Sequence, residues 1–284
     1  MIVADEPPQV LLVLREGDCA PSCLQRTYDL TCALRAELQV LRVLPAPSSW
    51  LRVFRQDRAK AREEARGCLR ATRFWLANAF GEDPPAGRVL VRRGNFVDAV
   101  VQHTQSANVE LIIVPRFRRV GALATELARR SGVKVLVARE PARRRSILAA
   151  TDLASDGFPV LQQAARLGLA LQAPLTAVHN VDPLLVADRA PVRLAPGAAT
   201  ALAGAQRQVR LADAVRSLPV ATTPVVRVEI DPVFAILEEV QRQDVDIVVV
   251  GVHERSRLDR LLHGSVAARV VQKTQRSVLV TPIS

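Results

Sequence analysis

The sequence predicts an α/β protein: two successive units, each a five-stranded parallel sheet with helices on both faces. Three observations lead there. The strand candidates, such as residues 247–250, are continuous apolar runs rather than alternating ones, as strands covered on both faces must be. They alternate with segments whose apolar residues recur at helical spacing. The pattern also occurs twice. Arg15 and Glu16 follow the run 10–14, and Thr151 and Asp152 follow the run 147–150, at an offset of 136. Gly94 to Phe96 matches Ile230 to Pro232, and 111–114 matches 247–250, at the same offset; Gly121 matches Gly264 and 134–137 matches 277–280 at an offset of 143. The change in offset means that the first copy is seven residues shorter between its fourth strand and last helix. Duplication at this scale indicates two domains, 1–142 and 143–284. The boundary lies near Pro141 to Arg145, where proline and like charges disfavour a central strand.

In the second copy the expected strands are 147–150, 175–179, 225–230, 247–250 and 277–280. The expected helices are 159–170, about 198–217, 232–242 and 266–273. Val233, Ile236, Leu237 and Val240 keep the spacing of one buried helix face. Asp231 before Pro232 is a capping residue followed by a proline at the first helical position. In parallel sheets ligands bind beyond the strand C-termini. This rule brings Asp152 and Gly251 to one crevice.

Composition narrows the function classes. Hydrophobic residues make up 49% and charged residues 24% of the chain, enough of each for a buried core and a solvated surface. No apolar run reaches the roughly 18 to 20 residues of a membrane span. The first ten residues, MIVADEPPQV, lack a signal-peptide core, so the expected location is cytoplasmic. The net charge of +11 is concentrated in residues 1–145, which carry 25 basic and 15 acidic side chains. There are 36 arginines against 3 lysines, which reads as a GC-rich coding preference at solvated positions rather than a nucleic-acid surface. Arg52, Arg55, Arg58, Arg62 and Arg66 fall at helical spacing and read as a solvated face. Cys19, Cys23, Cys32 and Cys68 read as reduced thiols, because a zinc site would need a second close pair or nearby histidines. No Ser–His–Asp or Cys–His order, H-E-x-x-H or C-x-x-C is present, so no catalytic residue is assigned.

A strand ending at Gly251, a polar loop, and a helix starting after Gly264 and Ser265 form a physical anion site. Glycines permit close backbone approach, and the N–H groups and dipole of a helix start favour negative charge. This stretch resembles the C-terminal part of the universal stress protein family, whose nucleotide-binding members carry G-x2-G-x9-G-S/T here. Gly251, Gly264 and Ser265 match; Glu254 replaces the middle glycine. Ile230 replaces a second family glycine, after the fourth strand.

The resemblance implies two Rossmann-like, adenine nucleotide alpha hydrolase-like domains. It implies a cytosolic stress-response factor binding ATP or another adenine nucleotide, with magnesium as a companion ion and at most weak hydrolysis. The implied contacts in the second copy are Asp152, Asn180 beside the strand-ending His179, Gly251, Gly264 and Ser265. His253 and Arg255 add positive charge to the same loop. Glu254 places a carboxylate where phosphates would lie and is expected to limit their affinity. The first copy is degenerate: Pro115, Ala122 and Glu16 replace the loop glycine, the Ser/Thr and the aspartate. The resemblance further implies pairing of the last strands, 135–137 with 278–280, as a pseudo-dimer within the chain, and a possible homodimer. The alternative is a non-nucleotide module whose basic first half docks a protein or polyanionic partner.

Overall fold

The computed structural model describes residues 7–15, 20–46, 55–81, 87–154, 157–189, 195–253 and 265–283. The elements of the first half are β1 (Gln9–Leu14), α1 (Pro21–Ala33), β2 (Glu37–Leu44), α2 (Arg55–Phe80), β3 (Val89–Arg93), α3 (Phe96–Thr104), β4 (Val109–Pro115), α4 (Val120–Ser131) and β5 (Lys134–Ala138). Then follow β6 (Ile147–Ala150), α5 (Pro159–Leu171), β7 (Leu175–Val181), α6 (Pro183–Arg189), α7 (Pro196–Arg216), β8 (Thr222–Val228), α8 (Pro232–Arg242), β9 (Ile247–His253), α9 (Val266–Lys273) and β10 (Ser277–Ile283).

The strands form one sheet of ten, in the order β3-β2-β1-β4-β5-β10-β9-β6-β7-β8. The two five-stranded sets expected from the sequence are therefore parts of one continuous sheet. The first five strands are mutually parallel, as are the last five, and the two sets meet where β5 and β10 pair antiparallel. Val137, Leu136 and Val135 face Val278, Leu279 and Val280, the residues expected to meet. These six side chains are almost fully buried. Joining the edges satisfies backbone groups that would otherwise be exposed along two apolar strands.

Side chains alternate between two cores. Val10, Leu12 and Leu14 point to the face covered by α1, α2, α5 and α7; Leu11 and Val13 point to the face covered by α3, α4, α8 and α9. A bidentate pair also links the halves. Arg26 on α1 donates to Asp246 through Nη1 at 2.8 Å and Nη2 at 2.5 Å, and Asp246 also accepts from the Ala142 N–H at 2.7 Å.

Several boundaries move. β8 begins at Thr222, ahead of the expected 225, because Pro224 needs no ladder donor on the outer side of an edge strand. The helix α6 is additional to those expected. β9 continues through Gly251 to His253, so Gly251 lies within a strand, opposite Thr281.

The pairing also corrects the register of the duplication. Val10 sits beside Leu111, and Ile147 beside Ile247. With Leu111 matching Ile247, Val10 matches Ile147, an offset of 137 for the first strands. Both point into the same core; a slip of one would reverse the faces. Arg15, rather than Glu16, therefore occupies the place of Asp152. Glu16 itself lies outside the described residues.

Candidate functional site

β6, β7 and β9 end along one margin of the sheet, and α8 and α9 begin there. Between them lies a cavity of about 400 Å³, within the size range of small-molecule sites. Of the residues singled out from the sequence, Asp152, Asn180, Gly251, His253 and Ser265 line it. Arg255, Gly264 and Glu254 lie outside the described residues. Val160, Ile236, Val250 and Ile283 supply apolar wall.

The chain turns sharply after β6. Leu153 is buried with φ of 56°, and its N–H is taken by the Thr151 hydroxyl at 3.1 Å. Asp152 accepts the Ala154 N–H through Oδ1 at 3.0 Å and bonds His253 Nε2 through Oδ2 at 3.1 Å. Both side chains of that pair are about half exposed, so it spans the mouth with little net contribution to stability.

His179 lies beneath. Its Nδ1 donates to the Thr151 carbonyl at 2.9 Å, since a carbonyl only accepts. Burial holds the ring below its ordinary pKa; the Thr151 bond and Asp152 act upward, while Arg207 and Arg210 act downward.

Asn180 does two things. Its side-chain amide clamps Glu229, donating to the carbonyl at 2.8 Å and accepting the N–H at 3.1 Å. The side chain is thus committed to the β7–β8 margin. Its backbone is different. Val178 takes the Thr151 N–H at 2.9 Å, so alternate residues of β7 direct their backbone groups towards β6. Asn180 is the next in that alternation and lies beyond the end of β6, which aims its N–H and C=O at the cavity.

Ser265 caps α9, accepting the Ala268 N–H at 3.2 Å. Val266 and Ala267, the first residues of α9, line the cavity, where the helix start presents unpaired N–H groups. Behind them Arg269 pairs with Asp231, which caps α8 by accepting the Val233 N–H at 3.0 Å. Burial raises the Asp231 pKa, but Arg269, the Val233 N–H and Lys273 together bring it below the ordinary value.

Gly251 has a different local reason from the one expected. A Cβ there would meet Ile283 Cδ1 at 2.1 Å and Val160 Cγ2 at 2.9 Å. The space left by the missing side chain holds the protein's own apolar wall. Gly121, matched to Gly264 in the sequence, likewise serves packing: a Cβ would lie 2.3 Å from the Ala268 carbonyl oxygen, where α4 crosses α9.

At the corresponding place in the first half, the guanidinium of Arg15 lies over Phe96 at 4.2 Å and Phe117 at 4.7 Å. Phe117 occupies the position of His253, and Phe96 that of Pro232. A cation between two aromatic faces replaces the carboxylate–imidazole pair of the second half. Among the described crevice residues, Asp152 is the one carboxylate, and no group of three or more His, Cys, Asp or Glu among the described residues is placed to hold a metal ion. The described residues therefore do not fit a dedicated magnesium site. No helix among them is long and apolar enough to cross a membrane.

Residues 143–282 match the family model described as "Universal stress protein family". The whole chain resembles solved structures. A universal stress protein from Archaeoglobus fulgidus DSM 4304 matches with a TM-score of 0.64 at 13% identity, over 96% of this chain and 98% of that one. A functionally unknown protein from Pseudomonas aeruginosa PAO1 matches with a TM-score of 0.61 at 15% identity, over 97% and 92%. At such identities the likeness shows the fold. No curated protein matches the chain.

Proposed function

We propose that the protein is a tandem universal stress protein, a cytoplasmic stress-response factor whose second half binds ATP or another adenine nucleotide. The observation that carries this reading is convergence. Asp152, the backbone of Asn180 and the first turn of α9 meet at one cavity of about 400 Å³ with apolar walls. The base would lie on the wall near Val178 and use the Asn180 backbone. Asp152 would accept a ribose hydroxyl after releasing His253, and phosphate would meet the N–H groups that follow Ser265. Gly251 shapes the wall. The β5–β10 pairing serves as an internal substitute for a dimer contact.

Titration calorimetry of the full chain with ATP, AMP and adenosine tests the proposal. One site per chain is expected, with Asp152→Ala weakening all three ligands by roughly tenfold, the worth of a hydrogen bond to a charged group. Absence of binding at millimolar ligand, or binding unchanged by Asp152→Ala, overturns it.

A second reading, in which the first half docks a protein or polyanion, is favoured by the cations at its strand ends. Arg116, Arg118 and Arg119 follow the end of β4 and are exposed.

A further inference from the structure

A second cavity, of about 270 Å³, lies in the first half and shares no lining residue with the crevice. It is bounded by α1, the starts of β2 and β3, and the last turns of α2. Buried Leu76 forms part of its floor. One wall is aromatic: Tyr28 and Phe80 stack with centroids 5.4 Å apart and planes at 26°. Tyr28 is half-exposed, so this wall reaches the surface. The polar edge is an ion pair between Arg88 and Glu37, both lining residues and both partly exposed.

We infer that this cavity is a binding site for a compact aromatic molecule with a neutral head that both donates and accepts hydrogen bonds. The volume admits one or two fused rings, and the Tyr28–Phe80 wall offers them offset stacking. The head is set by charge. A lone carboxylate would meet Arg88 but face Glu37; a lone ammonium would meet the reverse. A head carrying both a donor and an acceptor satisfies each without separating the pair. The site does not depend on the nucleotide reading.

Three probes that differ only in the head test this on the full chain: 1-naphthamide, 1-naphthoate and 1-naphthylmethylammonium. Cys32, an exposed free thiol at the cavity, reports occupancy through its rate of alkylation by iodoacetamide, followed by peptide mapping. Cys68 serves as the internal control. The expected result is saturable slowing at Cys32 but not Cys68, with naphthamide binding roughly tenfold more tightly than either charged probe. Leu38→Trp, which fills the cavity, should abolish protection; Thr31→Phe does the same from α1 if the first variant fails to fold. No saturable protection, protection that persists in a folded filled variant, or a charged probe binding as well as naphthamide overturns the assignment.

Discussion

Replacing Gly121 by alanine adds one methyl group where α4 crosses α9. The new Cβ would lie 2.3 Å from the Ala268 carbonyl oxygen and 3.1 Å from its carbonyl carbon. The obstacle is backbone within a helix, so relief requires moving α9 by about 1 Å against buried Val270 and Val271. Overpacking of this kind costs about 1–3 kcal/mol. For a chain of this size that corresponds to a fall of roughly 2–4 °C in melting temperature per kcal/mol. The control is Gly67→Ala. Gly67 lies inside α2 with nothing within 4 Å of its added Cβ. There alanine removes the helix penalty of glycine and should stabilise by about 0.5–1 kcal/mol. Both variants are measured by circular dichroism on heating and in urea. If Gly121→Ala is as stable as Gly67→Ala, the close approach of α4 to α9 is wrong, and with it the reading of this glycine as a packing residue.

Other outcomes follow from the same structure. Arg26→Ala should destabilise the protein by about 3–5 kcal/mol in chemical denaturation, because it leaves buried Asp246 without its cation; Arg26→Lys should recover only part, lacking the second donor. Arg15→Ala should cost about 0.5–2 kcal/mol through its two aromatic partners while leaving ligand binding in the second half unchanged by calorimetry. Burial lowers the pKa of His103, with Arg92 acting in the same direction, and burial likewise lowers that of His179. The unfolded chain then binds more protons than the folded one at mildly acid pH. The stability contributed is fully present above the ordinary histidine pKa of about 6.5 and is lost as pH falls towards the lowered folded values. His103→Gln should flatten that part of the pH–stability curve measured by urea unfolding, and an unchanged slope would count against the burial argument.

The candidate crevice was partly legible for a local reason. Asp152 follows an apolar run, Ser265 precedes a periodic helix, and both patterns are written within a few residues. Asp231 before Pro232 announced its cap in the same way, and the side chain does accept the Val233 N–H. Asn180 was legible as a position but not as a device, since its amide is directed by Glu229, 49 residues away. The first-strand register was misread by one residue because neighbouring polar positions look alike in a one-dimensional comparison, whereas in a sheet that step reverses which core a side chain enters.

The sequence by itself carried the main strands and helices of the second half, a second occurrence of the same pattern, and the expectation that strand ends and a helix start gather at one place. Periodicity, caps and continuous apolar runs are properties of short stretches, set by backbone geometry and burial. The tertiary structure decided the rest. It joined the two sets of strands into one sheet through β5 and β10, gave Gly251 to Ile283 and Gly121 to Ala268, and set Arg15 between Phe96 and Phe117. Each of these depends on which atoms come within a few ångströms of one another across long stretches of chain. Residue spacing does not carry that information; close packing of the two cores does.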